Sequence, residues 1–381
     1  MFCVILGLVP PSLSFWDSLQ EHLTSVAEHG VIDWIEYSTA IDTDNDDTTT
    51  LLVSAWTRVP PDTVCAAVQE HLSASPVEPL ISCELWASAP APLTLRPKEG
   101  YRVKYNGDKD DNVNQASATM KEWGICIQPS VLDTNALTLI RQLVDEEIRQ
   151  TQDKLQSHHP TLRIGQDDML FQEIASRNLQ RFDLRLSHKS ATDFVHDHIL
   201  TQESVTALLQ ETMECTRQEM DFDVSVVYSK PGACAQHWHA DGAHQKGATD
   251  AGWTRQGHFT QLAPPYAICL FLPLIDLNET VGYTQFWPGS HRYRDLVGFG
   301  PVATLAGATL DEGMHCSAGD GIWYDYRLLH RGMPNTSTDT VRPILQVVFK
   351  KKWYVERANY GTTSIMASKT AEELPPKEET L

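Results

Sequence analysis

Residues 266–275 read Tyr-Ala-Ile-Cys-Leu-Phe-Leu-Pro-Leu-Ile, 283–287 Tyr-Thr-Gln-Phe-Trp, 321–326 Gly-Ile-Trp-Tyr-Asp-Tyr and 343–350 Pro-Ile-Leu-Gln-Val-Val-Phe-Lys. Each run is short, apolar and rich in aromatic or β-branched residues, and turn residues separate them. From Phe222 onward, runs of this length and spacing predict a β-barrel or sandwich. Upstream, residues 123–127 (Trp-Gly-Ile-Cys-Ile) predict a short strand. Asp133 then reads as the cap of a helix carrying Ala136, Leu137, Ile140, Leu143, Val144 and Ile148 on one face.

The first ninety or so residues have a separate rhythm. Phe2 to Leu8, Val31 to Ser38, Leu51 to Val59 and the alternating Ile81, Cys83, Leu85 and Ala87 predict strands. Helices are expected between the first two, on Phe15, Leu19, Leu23 and Val26, and between the last two, on Val64, Val68 and Leu72. Asp42 to Asp47 reads as an acidic turn. The order βαββαβ is ferredoxin-like and is assigned to residues 1–92. Residues 93–118 mix Pro, Gly, Lys, Asp and Asn without periodicity and read as a linker. The β-rich domain is expected over 119–357, and 358–381 as a polar, disordered tail.

Composition narrows the partners. Fifty acidic against 30 basic residues give a net charge of −20, which disfavours nucleic acid. No stretch of about 20 apolar residues is present, so no membrane span is expected. Eight scattered cysteines without a CxxC pair read as free thiols in a reducing compartment, and the apolar start as a strand rather than a signal peptide. A cytoplasmic location follows as the expectation.

The chemistry concentrates in Gln236-His237-Trp238-His239-Ala240-Asp241-Gly242. On a strand, 237, 239 and 241 share a face. His239 and Asp241 then supply two ligands of a two-histidine, one-carboxylate set of the kind that holds Fe(II) with three open positions. His330, after the run 321–326 and before a polar turn, supplies the third. With 15 histidines an HxD triplet is expected about once by chance, so its company matters. Arg342 follows His330 by twelve residues in a new apolar run, where a guanidinium could grip a dicarboxylate bidentately; an exposed surface charge is the plainer reading. Arg181 and Arg185 either present a cation to substrate or cosubstrate or form a structural ion pair. Tyr228 shares a strand face with Phe222, Val224 and Val226, which leaves core packing and cosubstrate contact both open. Gln285 is a candidate for reaching substrate. His291 stabilises a turn or lines the pocket, and Trp287 and Trp323 belong to the core. His196-Asp197-His198 reads as a solvated helix face. A zinc hydrolase using His237, His239 and His330 is a rival.

Three segments, HWHADG (237–242), PPYAICLFLPLIDLNETVGYTQFWPGSHR (264–292) and HRGMPNTSTDTVR (330–342), together resemble the phytanoyl-CoA dioxygenase family of Fe(II)/2-oxoglutarate oxygenases, over roughly residues 119–355. The resemblance implies a mainly β fold with flanking helices, a double-stranded β-helix (jelly-roll) core behind the small α+β ferredoxin-like domain. By it, His239, Asp241 and His330 match the Fe(II) ligands, and Arg342 the clamp on the C5 carboxylate of 2-oxoglutarate; Tyr228 and Arg181 are the further candidate cosubstrate contacts. It implies hydroxylation of a small or carrier-tethered organic substrate with O2, 2-oxoglutarate leaving as succinate and CO2. Asp241 is retained where halogenating relatives carry a small residue. Tyr283 departs from the Gly-Pro-Thr common in relatives. A homodimer through the N-terminal domain is a candidate assembly, and the rival class is a non-catalytic jelly-roll sensor acting through that domain.

Overall fold

In a strand successive side chains point to opposite sides, and the strand Arg342–Lys351 uses both. Leu345, Val347 and Phe349 enter one buried apolar cluster, while Ile344 and Val348 enter another, alongside Arg342 and Gln346. This computed structural model describes residues 2–8, 34–41, 49–57, 66 and 82–88, then 101–102 and 109–367 with breaks at 187, 245–249, 254–258, 294–295, 298–299, 306, 311–313 and 357–358. The chain divides into two compact units. One comprises Met1–Leu95 with Pro301–Ala306, the other Arg96–Gly300 with Gly307–Leu381.

In the first unit, β1 (Phe2–Leu8), β2 (Trp34–Ile41), β3 (Thr49–Thr57) and β4 (Ser82–Ser88) form one sheet in the order β2-β3-β1-β4. Every neighbouring pair is antiparallel, with a register shift between Cys3 and Val4. The helix expected on 15–26 and the acidic turn at 42–47 lie outside the described residues, as does all of the helix expected on 64–72 except Ala66, which is helical and exposed.

In the second unit the apolar runs become strands. β5 (Ile125–Gln128), β6 (Ile174–Asn178), β7 (Arg181–Arg185), β8 (Met220–Ser229), β11 (Ala267–Pro273), β13 (Gly321–Asp325) and β15 (Arg342–Lys351) form an antiparallel sheet, ordered β5-β13-β11-β15-β8-β7-β6. A separate hairpin pairs β9 (Asp250–Trp253) with β10 (Phe259–Leu262). One face of the large sheet, carrying Leu184, Val226, Leu270, Trp323 and Leu345, is covered by helices α1 (Lys109–Trp123), α2 (Thr134–His158), α3 (Lys189–Val195) and α4 (Glu203–Met213). Each fully buried Leu or Val there contributes roughly 1.5–3 kcal/mol. As expected, Asp133 caps α2, its carboxylate accepting from the Ala136 amide at 2.8 Å.

The other face carries Ile125, Ile127, Cys269, Phe271, Ile322, Tyr324 and Ile344. In the same cluster is Phe286 of β12 (Thr284–Phe286), which pairs antiparallel with β14 (His330–Gly332). Isolated bridges His239↔His330 and Phe286↔Leu310 extend this small layer on both sides. The layout is mainly antiparallel with few helices, consistent with a jelly-roll-type core.

Two boundaries differ from expectation. The linker expected over 93–118 contains the start of α1. Its buried stripe is Asn112, Ala116, Ser117, Thr119 and Met120, too polar to register as a helix in the sequence. The tail expected to be disordered from 358 is packed over residues 359–367: Ile365 is fully buried, its amide donates to Glu173 and its carbonyl meets His159. No described helix is long and apolar enough to cross a membrane.

Candidate metal centre

Ninety residues separate His239 from His330, yet their backbones exchange both hydrogen bonds: His239 N–H to His330 O at 3.0 Å and His330 N–H to His239 O at 2.8 Å. Residues so paired bring their side chains together on one face, and the two imidazole centroids lie 4.5 Å apart. Each ring has its Nδ1 on a carbonyl, His239 on His237 at 2.8 Å and His330 on Leu328 at 2.9 Å. A carbonyl only accepts, so both Nδ1 atoms carry the proton and both Nε2 lone pairs are available. Burial, then the adjacent His330, hold His239 down at about 4, so it is neutral at neutral pH. Asp241 Oδ1 lies 3.7 Å from His330 Nε2. The ligand atoms of His239, Asp241 and His330 all fall within 4.8 Å of one another. Two imidazoles and a carboxylate fit Fe(II).

Gly332, two residues beyond His330, shares its face of β14, about 7 Å along the strand. There lie two buried guanidinium groups. A Cβ on Gly332 would come within 2.5 Å of Arg181 Nη1, and one on Gly282 (φ +82°) within 2.8 Å of Arg342 Nη1, so glycine at both positions leaves them room. Arg342 Nη1 donates to Tyr283 O at 3.2 Å, and Arg181 Nη2 to the carbonyls of Cys234 and Met333. Arg342 Nε and Arg181 Nε and Nη1 are buried without a partner, and among the described residues neither group makes an ion pair. Burial, then Arg181, push Arg342 well below its usual range, and burial lowers Arg181 to about 10. Uncompensated buried cations are costly, and a carboxylate ligand would relieve the cost. This cradle fits the distal carboxylate of 2-oxoglutarate.

The other candidates separate cleanly. Tyr228 is corrected: it lies on the helix-backed face, stacked on Phe182 at 4.9 Å inside that cluster, so its role is packing. Its neighbours Val227 and Ser229 hold the opposite phase of the strand. Gln285 is held by Arg331 Nε at 2.6 Å and donates to Thr309, outside the cluster that holds Phe286. His237 is exposed and outside the ligand group, which removes the zinc reading built on it. His291 packs on Gly124 (φ +72°), where a Cβ would come within 2.5 Å of its Nδ1. Trp287 and Trp323 are fully buried. His196 and Asp197 are exposed, and His198 stacks on Phe194. Arg185 lies over the Tyr360 ring, 4.2 Å from its centroid.

Two features were missed. Tyr324 donates to Asp241 Oδ2 at 2.8 Å. An Arg177–Asp183 ion pair stands close enough to Asp241 to feel its charge. Alternation along 321–326 places Tyr324 opposite Trp323, but nothing local marks which of the two faces the metal side.

Among solved structures the chain is similar to AviO1 from Streptomyces viridochromogenes Tue57 (17% identity over 65% of this chain and 97% of that one, TM-score 0.43). It is also similar to the non-heme alpha ketoglutarate dependent carbocyclase SnoK from nogalamycin biosynthesis (17%, 65% and 87%, TM-score 0.43). A third is EvdO2 from Micromonospora carbonacea var. aurantiaca complexed with 2-oxoglutarate (14%, 65% and 93%, TM-score 0.39). The decisive match is the family described as phytanoyl-CoA dioxygenase (PhyH), which takes in residues 133–344, more than half of the chain and every residue of the ligand set and the cradle. The chain therefore belongs to the phytanoyl-CoA dioxygenase family, and is an enzyme of the class that uses iron and 2-oxoglutarate.

Proposed function

We propose that this protein is an Fe(II)/2-oxoglutarate-dependent dioxygenase that hydroxylates a C–H bond of a small or carrier-tethered organic substrate. The observation that carries the reading is the pairing of the two histidines, both tautomers set by backbone carbonyls, with Asp241 beside them and a buried cationic cradle against Gly332, two residues further along β14. His239 Nε2, Asp241 and His330 Nε2 hold the metal. Arg342, with Arg181 next to it, holds the C5 carboxylate of 2-oxoglutarate and so orients its other end toward the ligand set. When bound, iron and 2-oxoglutarate together supply O2 activation coupled to release of succinate and CO2. Phe286 and Tyr324, whose rings lie 5.5 and 4.9 Å from that of His330, exclude water on that side. Asp241 fills the position that an added halide would need, which favours hydroxylation.

For residues 1–92, the all-antiparallel order β2-β3-β1-β4 supports the ferredoxin-like reading. Free cysteines at 126, 215, 234, 269 and 316 support a reducing, cytoplasmic setting.

Succinate formation tests the activity. Iron-loaded protein with O2 and 2-oxoglutarate should release succinate slowly alone and faster with substrate. Absence of succinate in both conditions, with metal and 2-oxoglutarate bound, would overturn the catalytic reading in favour of a sensor.

A further inference from the structure

We propose that Tyr324 is a positioning residue for the metal, fixing Asp241 as a one-oxygen ligand. This deepens the ligand assignment above and rests on it. The two carboxylate oxygens of Asp241 have different surroundings. Oδ1 faces His330 Nε2 at 3.7 Å, while Oδ2 accepts the Tyr324 hydroxyl at 2.8 Å. A carboxylate whose second oxygen is held by a donor is not free to rotate that oxygen onto the metal, and partners of this kind orient the ligand they touch.

Tyr324 is itself constrained. Its ring is fully buried between those of Phe271, Phe286 and His330. Beside it sits Cys269, its direct partner across β11 and β13. The single phenolic proton is spent on Asp241, so toward the phenolic oxygen the thiol of Cys269 can act only as a donor. Gln346 Nε2 in turn donates to Cys269 Sγ at 3.5 Å, and Ser225 donates to Gln346 Oε1 at 2.9 Å. Donors from β8, β15, β11 and β13 thus run in one direction across the inner face of the sheet and end on Asp241 Oδ2. A line of this kind is polarised along its length, and strand pairing fixes each member.

The test uses full-length protein loaded with Mn(II), read by isothermal titration and by the electron paramagnetic resonance of the bound ion. Tyr324→Phe, which removes only the hydroxyl, should weaken Mn(II) binding roughly 10- to 100-fold and alter the zero-field splitting. Cys269→Ala removes the thiol that orients the phenol and should shift the same signal in the same sense by less; Cys269→Ser keeps a donor and should restore it. A folded Tyr324→Phe with wild-type affinity and spectrum overturns the proposal. If that variant fails to fold, a wild-type spectrum in Cys269→Ala overturns it instead. Asp241→Ala separates the two readings: wild-type affinity there sinks the ligand assignment itself, whereas lost affinity there with an unchanged Tyr324→Phe sinks only the role of Tyr324.

Discussion

The two faces of the seven-stranded sheet are built from the same strands and differ in almost everything else. Toward the helices, Leu184, Val226, Trp323, Leu345 and Val347 make an apolar layer. Toward β12 and β14, the intervening positions carry the buried Arg181, Asp183, Ser225, Tyr324 and Arg342 and the half-buried Gln346, which accepts from Ser225. One face stabilises the sheet by excluding water; the other keeps charges in low dielectric, where their interactions with a ligand are strong. A site of this kind needs the opposite face to supply the stability it lacks.

Changes on the two faces should therefore have separable effects. The largest is expected at the ligand set: Asp241→Ala and His330→Ala should abolish essentially all turnover and most metal affinity, read by Mn(II) titration, with little change in melting. Next, Arg342→Lys should weaken 2-oxoglutarate binding. Lysine lacks the bidentate fork, and breaking a buried charge pair costs roughly 3–5 kcal/mol, about two to four decades. Anaerobic calorimetry with Mn(II) reads this, and unaltered affinity would move the clamp to Arg181.

Arg327→Leu addresses a charge pair that serves structure rather than ligand. Burial alone would raise Asp325, but the charge and hydrogen bonds of Arg327 outweigh it and leave the carboxyl lowered. A lowered carboxyl stabilises the fold above its ordinary range, and that stability is lost as pH falls through the lowered value. Arg327→Leu should cost roughly 3–5 kcal/mol near neutrality, and its deficit against wild type should shrink as pH falls through the lowered Asp325 value; denaturant melts at several pH values decide. Leu345→Ala, on the helix-backed face, should cost about 2–5 kcal/mol of stability while folded protein still binds Mn(II). The smallest effect is expected at Tyr228→Phe. Its hydroxyl is buried without a partner, so removing it should change stability by about 0.5 kcal/mol or less and leave 2-oxoglutarate affinity intact. A large loss of that affinity would return Tyr228 to the site.

The strands were legible because apolar alternation is local, and β11, β13 and β15 fall within a residue or two of the runs that foretold them. His239 and Asp241 were legible because a strand puts i and i+2 on one side. What could not be read was which side is which. Both faces are buried, so Tyr228 and Val227, or Trp323 and Tyr324, look alike until the helices are in place. The first turns of α1 stayed hidden because Asn112, Ser117 and Thr119 pack where Leu or Val would have announced a helix.

The bridge between His239 and His330 also sets a timetable. A pairing across some ninety residues closes a long loop, whose entropy must be overcome before the contact is made, and contacts of such range slow folding. Until the ribosome has released the segment around residue 330, the ligand set does not exist. Acquisition of metal by the full ligand set is therefore a late event in the life of the nascent chain.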